Sequence, residues 1–256
     1  MKRMAEHPIV LAFHPNPAVR LNIVHEDADI IIVDKPAGMV TQPGKGHMSD
    51  ALLNGLFGRY GKLLHNLGVR RDYGLLHRLD KDTSGLLVIA KMPSAYDQLR
   101  RDFEARHIDK DYLCLTRGVP SPKQGVVQAR LKESTLPVGE FNSLKKVVVS
   151  RQGQEAISSY RVISVKDTVA ALVRVTIKTG RLHQIRAHMM FLNTPVLGDD
   201  LYTLAAPGPK LPAAPRLCLH ATRLGFKHPS TGKWVNFESP LPPELAAYAK
   251  RLGLTT

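Results

Sequence analysis

The chain has 256 residues, and 36 Lys+Arg against 22 Asp+Glu leave a formal net charge of +14. Hydrophobic residues make up 43% and charged residues 23%, a globular balance that excludes wholesale disorder. No apolar run approaches the roughly 18 residues of a membrane helix, and the N-terminal MKRMAEHPIVLAFHP lacks the apolar stretch of a secretion signal. Two cysteines, Cys114 and Cys218, are too few for a disulfide framework or a four-thiolate zinc site, so a reducing cytoplasm is the expected setting. The positive surplus speaks of partners rather than fold, and nucleic acid is the simplest acidic partner.

In chain order, residues 1–20 hold three prolines and little periodicity, and read as a lead-in to one domain over 21–256. LNIVHE (21–26) and IIIVDKP (30–36) are short β-branched runs separated by Asp-Ala-Asp, the pattern of a strand pair. KPAGMVTQPGKG (35–46) is a Pro/Gly-punctuated loop, after which Ser49 is placed to cap a helix reaching about Tyr60. GLLVIAK (85–91) reads as a buried strand. Ser94 followed by Asp97 resembles a capping box, with Tyr96, Leu99 and Phe103 at helical spacing beyond it. DYLCLTRG (111–118) is a further strand. Segment 119–156 reads as loop-rich, without linker composition.

Residues 156–163 and 169–178 alternate as strands, the second with Val173, Val175 and Ile177 opposite Leu172, Arg174, Thr176 and Lys178. From Arg181 to Leu192 the period turns helical, with Leu182, Ile185, Met189 and Leu192 on one face. Strands near 216–226 and 233–237 and a helix starting at Pro243 complete the chain. Strands outnumber helices without alternating with them. The prediction is α+β, with a mixed, mainly antiparallel sheet flanked by helices and loops.

Two stretches stand out chemically. In GLLHRLDKDTSGLLVIAK (74–91) a polar block from His77 to Gly85 sits between apolar strand-like pieces, an arrangement suited to aiming a side chain into a cleft. Asp80 is a candidate nucleophile or base, with Arg78 and Lys81 as nearby cations. The alternative is a hydrogen-bonded turn and nothing more. In KTGRLHQIRAH (178–188), Arg181, Gln184 and His188 fall at i, i+3 and i+7 on the predicted helix. Arginines at a helix start suit a phosphate or a carboxylate, and a solvated amphipathic helix is the alternative. His183 and His188 lack the i, i+4 spacing of helical zinc ligands, so no metal is expected.

Together, HRLDKDTSGL (77–86) and TGRLHQIRAH (179–188) resemble the two signature motifs of the RluA-type pseudouridine synthase family. KPAGMVTQPG (35–44), DYL (111–113) and LGDDLY (197–202) follow that family's order, so the resemblance covers roughly 21–240. It implies a pseudouridine synthase fold and a cofactor-free isomerisation of uridine in ribosomal or transfer RNA. It also implies Asp80 as the catalytic carboxylate, acting as nucleophile or through a glycal, and Arg181 paired with that aspartate. Tyr112 then packs on the flipped uracil and is a candidate for handling the C5 proton. Arg78 contacts RNA near the vacated nucleotide position, while Leu87, Leu182 and Ile185 are read as core. Only about 20 residues precede the first strand, too few for the S4-like domain of some members, and a compact monomer is expected.

Charge is unevenly spread. Residues 119–186 hold 12 Lys+Arg and 4 Asp+Glu, whereas 1–58 hold 5 and 6. The RNA-binding surface is therefore expected on this segment, with Lys145, Lys146, Arg151, Lys178 and Arg186 as contacts. Rival readings are an inactive RNA-binding relative and a metal-dependent nuclease or phosphatase using Asp80, Asp82 and the histidines.

Overall fold

In the computed structural model, which describes residues 14–138, 142–205 and 210–255, one large sheet organises the chain. The strands are β1 (Ile23–Glu26), β2 (Ile30–Lys35), β3 (Ser84–Ala90), β4 (Asp109–Arg117), β5 (Gln124–Val138), β6 (Asn142–Val149), β7 (Gln154–Lys166), β8 (Ala170–Ile177), β9 (Leu219–Lys227) and β10 (Trp234–Glu238). They order as β1-β2-β3-β9-β4-β8-β7-β5-β6, with β10 added on β9. Every neighbouring pair is antiparallel except β3 and β9. The helices are α1 (Leu52–Leu67), α2 (Pro93–Glu104), α3 (Gln184–Phe191) and α4 (Pro243–Arg251). The α+β expectation, with a mixed and mainly antiparallel sheet, is met.

The all-apolar runs of β2 and β3 are buried along their length, because α1 and its neighbours cover the sheet there. β7 and β8 alternate because one face is covered and the other is solvated. Several boundaries differ from those expected. α1 is not capped by Ser49: it starts at Leu52, where the Asn54 side chain accepts the Ala51 N–H at 3.0 Å, and it runs on past Tyr60 to Leu67. α2 opens with Pro93 at its first position, and Asp97 does not cap it. The Asp97 carboxylate instead takes a two-pronged hydrogen bond from Arg71, both contacts at 2.9 Å. Of the expected lead-in, residues 1–13 lie outside the described residues. Residues after them pack on α1, where a Cβ on Gly58 would come within 2.7 Å of Pro17 N.

The largest departure is segment 119–156, which is not loop-rich. It holds the long strands β5 and β6, paired from Leu131↔Val149 to Val138↔Asn142. As the last strand of the sheet, β6 buries little besides Val147, so the apolar alternation that reveals a strand is weak there.

The parallel contact of β3 with β9 is short, Ser84↔His220 and Gly85↔Ala221. Gly85 has φ +119°, and a Cβ on it would lie 2.3 Å from the Ala221 carbonyl oxygen. The chain just before Gly85 is the loop carrying Asp80, so this close approach sets where that loop leaves the sheet. Gly85→Ala is expected to destabilise the fold by about 2–3 kcal/mol, through overpacking plus an unfavourable φ. Urea denaturation measures it, and an unchanged midpoint would show that the contact does not set the packing.

Candidate active site

The loop before β3 is pinned on all sides. The His77 Nε2 accepts the Val88 N–H at 3.2 Å, and burial first, then Lys110, pushes this imidazole's pKa down to about 3. The Thr41 hydroxyl donates to the Leu79 carbonyl at 2.8 Å and accepts the Leu79 N–H at 3.2 Å. The wholly buried Lys35 donates to the carbonyls of Pro36, Met39 and Lys81 at 2.8, 2.7 and 3.1 Å. A turn closes with the Thr83 N–H on the Asp80 carbonyl at 3.2 Å. At its exit the Ser84 hydroxyl meets His220 Nδ1 and Arg216 Nη2, each at 2.9 Å. The polar block is therefore a hydrogen-bonded turn that brings Asp80 to the cleft, with the Thr83 hydroxyl oxygen buried and unpaired.

Asp80, with its side chain 24% exposed, lies in an open cleft with a cavity volume of about 100 Å³. Arg78, Tyr112, Arg181, His183 and Arg186 also line it. Tyr112 comes from β4 and is 7% exposed. Burial, and then the Asp80 charge, raise its hydroxyl pKa well above the usual phenol value.

The expected Arg181–Asp80 pair is not formed. Arg181 lines the cleft, but its Nε donates to the Glu155 carbonyl at 3.0 Å. The guanidinium beside Asp80 is that of Arg186, whose Nη1 is 3.6 Å from Asp80 Oδ2. Its Nε and Nη2 grip Asp199 at 2.6 and 2.8 Å, and the Asp199 side chain is wholly buried. The reason lies in the backbone. Helix α3 does not begin at Arg181: His183 takes the left-handed conformation at φ 50°, and the helix starts at Gln184. Starting there, the helix carries Arg186 on the side that faces Asp80, whereas Arg181 precedes it.

The expected solvated polar stripe is also corrected, because Gln184 and His188 are buried. Gln184 accepts from the Thr179 hydroxyl at 2.7 Å and the Arg181 N–H at 3.1 Å, and donates to Ile157 O at 3.0 Å and Ser158 Oγ at 2.9 Å. His188 Nδ1 meets the same Ser158 hydroxyl at 2.9 Å, and burial pushes the His188 pKa down to about 4. Ile185, read as core, is buried yet lines the cleft, as does Leu182. Leu87 is core as expected.

Of the residues expected on an RNA surface, Arg78 is exposed at the cleft and Arg151 is exposed in the β6–β7 turn. Lys145 faces Glu133 at 3.5 Å, and Lys178 faces Asp109 at 3.7 Å. Lys146 donates to Leu201 O at 3.0 Å, with its ammonium 5.0 Å from the Tyr202 ring centre. Four site residues went unread in the sequence: His183, Asp199, Tyr202 and Lys35. LGDDLY and KPAG were the signals that carried three of them.

Burial pushes the Lys35 pKa down to about 8 from an ordinary 10.5, against the attraction of Asp82 and Asp80. The unfolded chain therefore holds more protons at this position between pH 8 and 10.5, so the Lys35 contribution to stability rises with pH across that window. Lys35→Met orphans three carbonyls and is expected to cost about 2–3 kcal/mol at pH 7. The deficit should widen on going from pH 8 to 10.5. Denaturant titrations at the three pH values check both the cost and its direction.

A family model described as RNA pseudouridylate synthase matches residues 29–190. The ribosomal large subunit pseudouridine synthase D of Nitrosomonas europaea is 39% identical over 239 residues, which is 91% of this chain and 66% of that one. The protein of the same name from Zymomonas mobilis is 36% identical over 254 residues, 97% of this chain and 78% of that one. The solved structure of human RNA pseudouridylate synthase domain containing 4 superposes with a TM-score of 0.70 at 27% identity, covering 92% of this chain and 94% of its own. This chain spans about two thirds to three quarters of the length of these bacterial relatives. The chain belongs to the RNA pseudouridylate synthase family of isomerases.

Proposed function

We propose that this protein isomerises specific uridines of large-subunit ribosomal RNA to pseudouridine, with Asp80 as the catalytic carboxylate. The observation that carries the reading is the Asp80 carboxylate in the cleft, 3.6 Å from Arg186 and with Tyr112 in the same wall. The names of the bacterial relatives favour ribosomal over transfer RNA as substrate. The catalytic unit is residues 21–256, acting as a monomer in the cytoplasm. Among the described residues no helix is long and apolar enough to cross a membrane.

The reaction breaks the N1–C1′ bond, turns the base and forms a C5–C1′ bond. A stacked uridine hides that bond from any side chain, so the nucleotide must be flipped out, at a cost of a few kcal/mol. Tyr112 offers the flipped uracil an aromatic face. Arg78, exposed beside Asp80, is placed to occupy the vacated position in the RNA. Asp80 attacks as nucleophile or removes a sugar proton, and both routes begin from the carboxylate. Arg186 keeps that carboxylate charged in a site from which the base excludes water. No step draws on a cofactor or metal. Lys145, Lys146, Arg151 and Lys178 supply contacts to phosphates, and Arg181 is a cleft residue whose contact is with RNA and not with Asp80.

Release of C5 tritium from uridine-labelled large-subunit ribosomal RNA tests this. Wild type releases label and Asp80→Asn does not; equal release by the two would refute the assignment. Arg186→Gln should lose about 100-fold or more, as expected for a charge aimed at the reacting group. Arg181→Gln should lose much less, and the reverse order would restore the pairing expected from the sequence. Neutralising Lys145, Lys146 and Arg151 together should weaken binding and flatten its salt dependence, each lost phosphate contact lowering the slope by about 1.

A further inference from the structure

The last chemical step of this reaction needs a base. Once C5 is bonded to C1′, it still carries its hydrogen, and the ring recovers its conjugation only when that proton leaves. The cleft offers few acceptors. Its arginines hold their protons throughout, and the Gln184 carbonyl is already taken by Thr179 and the Arg181 N–H. The Tyr112 hydroxyl keeps its proton, because burial and Asp80 both oppose its ionisation. Asp80 has been released by then, and a carboxylate is a weaker base than an imidazole. His183 is left.

Its imidazole lines the cleft with its side chain 12% exposed, and Nε2 lies 3.8 Å from Asp80 Oδ2. The other ring nitrogen is held from behind: Nδ1 is 3.3 Å from the Tyr202 hydroxyl oxygen. That hydroxyl accepts the Val147 N–H at 2.8 Å and donates its single proton to the Val147 carbonyl at 3.2 Å. With that proton on the Val147 carbonyl, Nδ1 donates to the Tyr202 oxygen and Nε2 presents a lone pair to the cleft, the tautomer a base at this position requires. Burial pushes the His183 pKa below its ordinary value, more strongly than Asp80 raises it, so the ring is neutral at neutral pH. His183 also holds the left-handed conformation at φ 50°, which a histidine tolerates.

We propose that His183 Nε2 is the base that removes the C5 proton, a role that rests on the synthase reading above. In this step the Nε2 lone pair bonds the C5 hydrogen. The C5–H electron pair becomes the C5=C6 double bond, the N1=C6 pair returns to N1, and N1 takes up a proton from water. The imidazolium so formed sits beside the Asp80 carboxylate, which stabilises it until the proton passes to solvent.

The test is single-turnover pseudouridine formation on large-subunit ribosomal RNA transcripts carrying uridine with hydrogen or deuterium at C5. Wild type should show an isotope effect near unity. His183→Asn tolerates the left-handed conformation and should slow turnover about 100-fold or more, the usual contribution of a general base. The C5 isotope effect should then become several-fold, with RNA accumulating in which C5 is joined to C1′ but keeps its hydrogen. His183→Gln is carried alongside, and both variants should bind RNA as wild type does. Turnover left unchanged, or slowed without an isotope effect in both variants, overturns the proposal. So does an isotope effect that appears in Tyr112→Phe instead. Asp80→Asn separates this from the parent reading: if it forms pseudouridine normally, the synthase assignment of Asp80 fails whatever His183 does.

Discussion

The active cleft depends on one buried ion pair, Arg186 with Asp199. A guanidinium taken out of water is costly unless its donors are paired, and Asp199 is fully committed to that task. Its Oδ1 also accepts the backbone N–H groups of Leu201 and Tyr202 at 2.9 and 3.0 Å. With Nε and Nη2 consumed, Arg186 has Nη1 left, and that is the nitrogen facing Asp80. Charge thus alternates inward from the cleft as Asp80, Arg186, Asp199. The inner carboxylate holds the cation in place beside the outer one.

Holding Arg186 requires holding a helix that has little stability of its own. α3 is eight residues long, shorter than a helix that persists alone in water, and its N-terminal residue offers no side-chain cap. The Thr179–Gln184–Ser158–His188 network does the fixing, tying the start and last turn of α3 to β7 by buried hydrogen bonds. Such polar groups specify a position as well as a contact, because any slip leaves several of them unpaired at once. The motif TGRLHQIRAH then divides by depth. Thr179, Gln184 and His188 build the support, while Arg181, His183 and Arg186 face the cleft.

How much of this was legible in the sequence follows from what pattern and spacing encode. Strands with a covered face, such as 85–91 and 169–178, announce themselves by apolar runs or alternation. Asp80 was singled out by the resemblance of HRLDKDTSGL to a family motif, since a polar block between two apolar runs reads as readily as a hydrogen-bonded turn. The β5–β6 hairpin was not legible, since its outer strand buries little besides Val147 and leaves Leu144, Val148 and Val149 exposed, so no apolar face marks it. The identity of the arginine beside Asp80 was not legible either. The pairing with Arg181 came from the family resemblance, and the helix that carries the cation starts only at Gln184, after His183 at positive φ. Lys35 was hidden for another reason: a lysine in a Pro/Gly loop reads as solvent-facing, and only the fold brings three carbonyls round it.

The surplus of positive charge and the catalytic chemistry meet in one residue. The Tyr202 ring lies between two cations, with Lys146 Nζ at 5.0 Å and the Arg186 guanidinium at 5.2 Å from its centre. Its hydroxyl satisfies the outward N–H and C=O of Val147 on the sheet's last strand and holds His183. An exposed sheet edge normally invites pairing with another chain. Here part of it is occupied by a side chain that also touches two of the groups around Asp80. Through Tyr202, strand β6 is thus joined by side-chain contacts to His183 and Arg186 in the wall of the cleft.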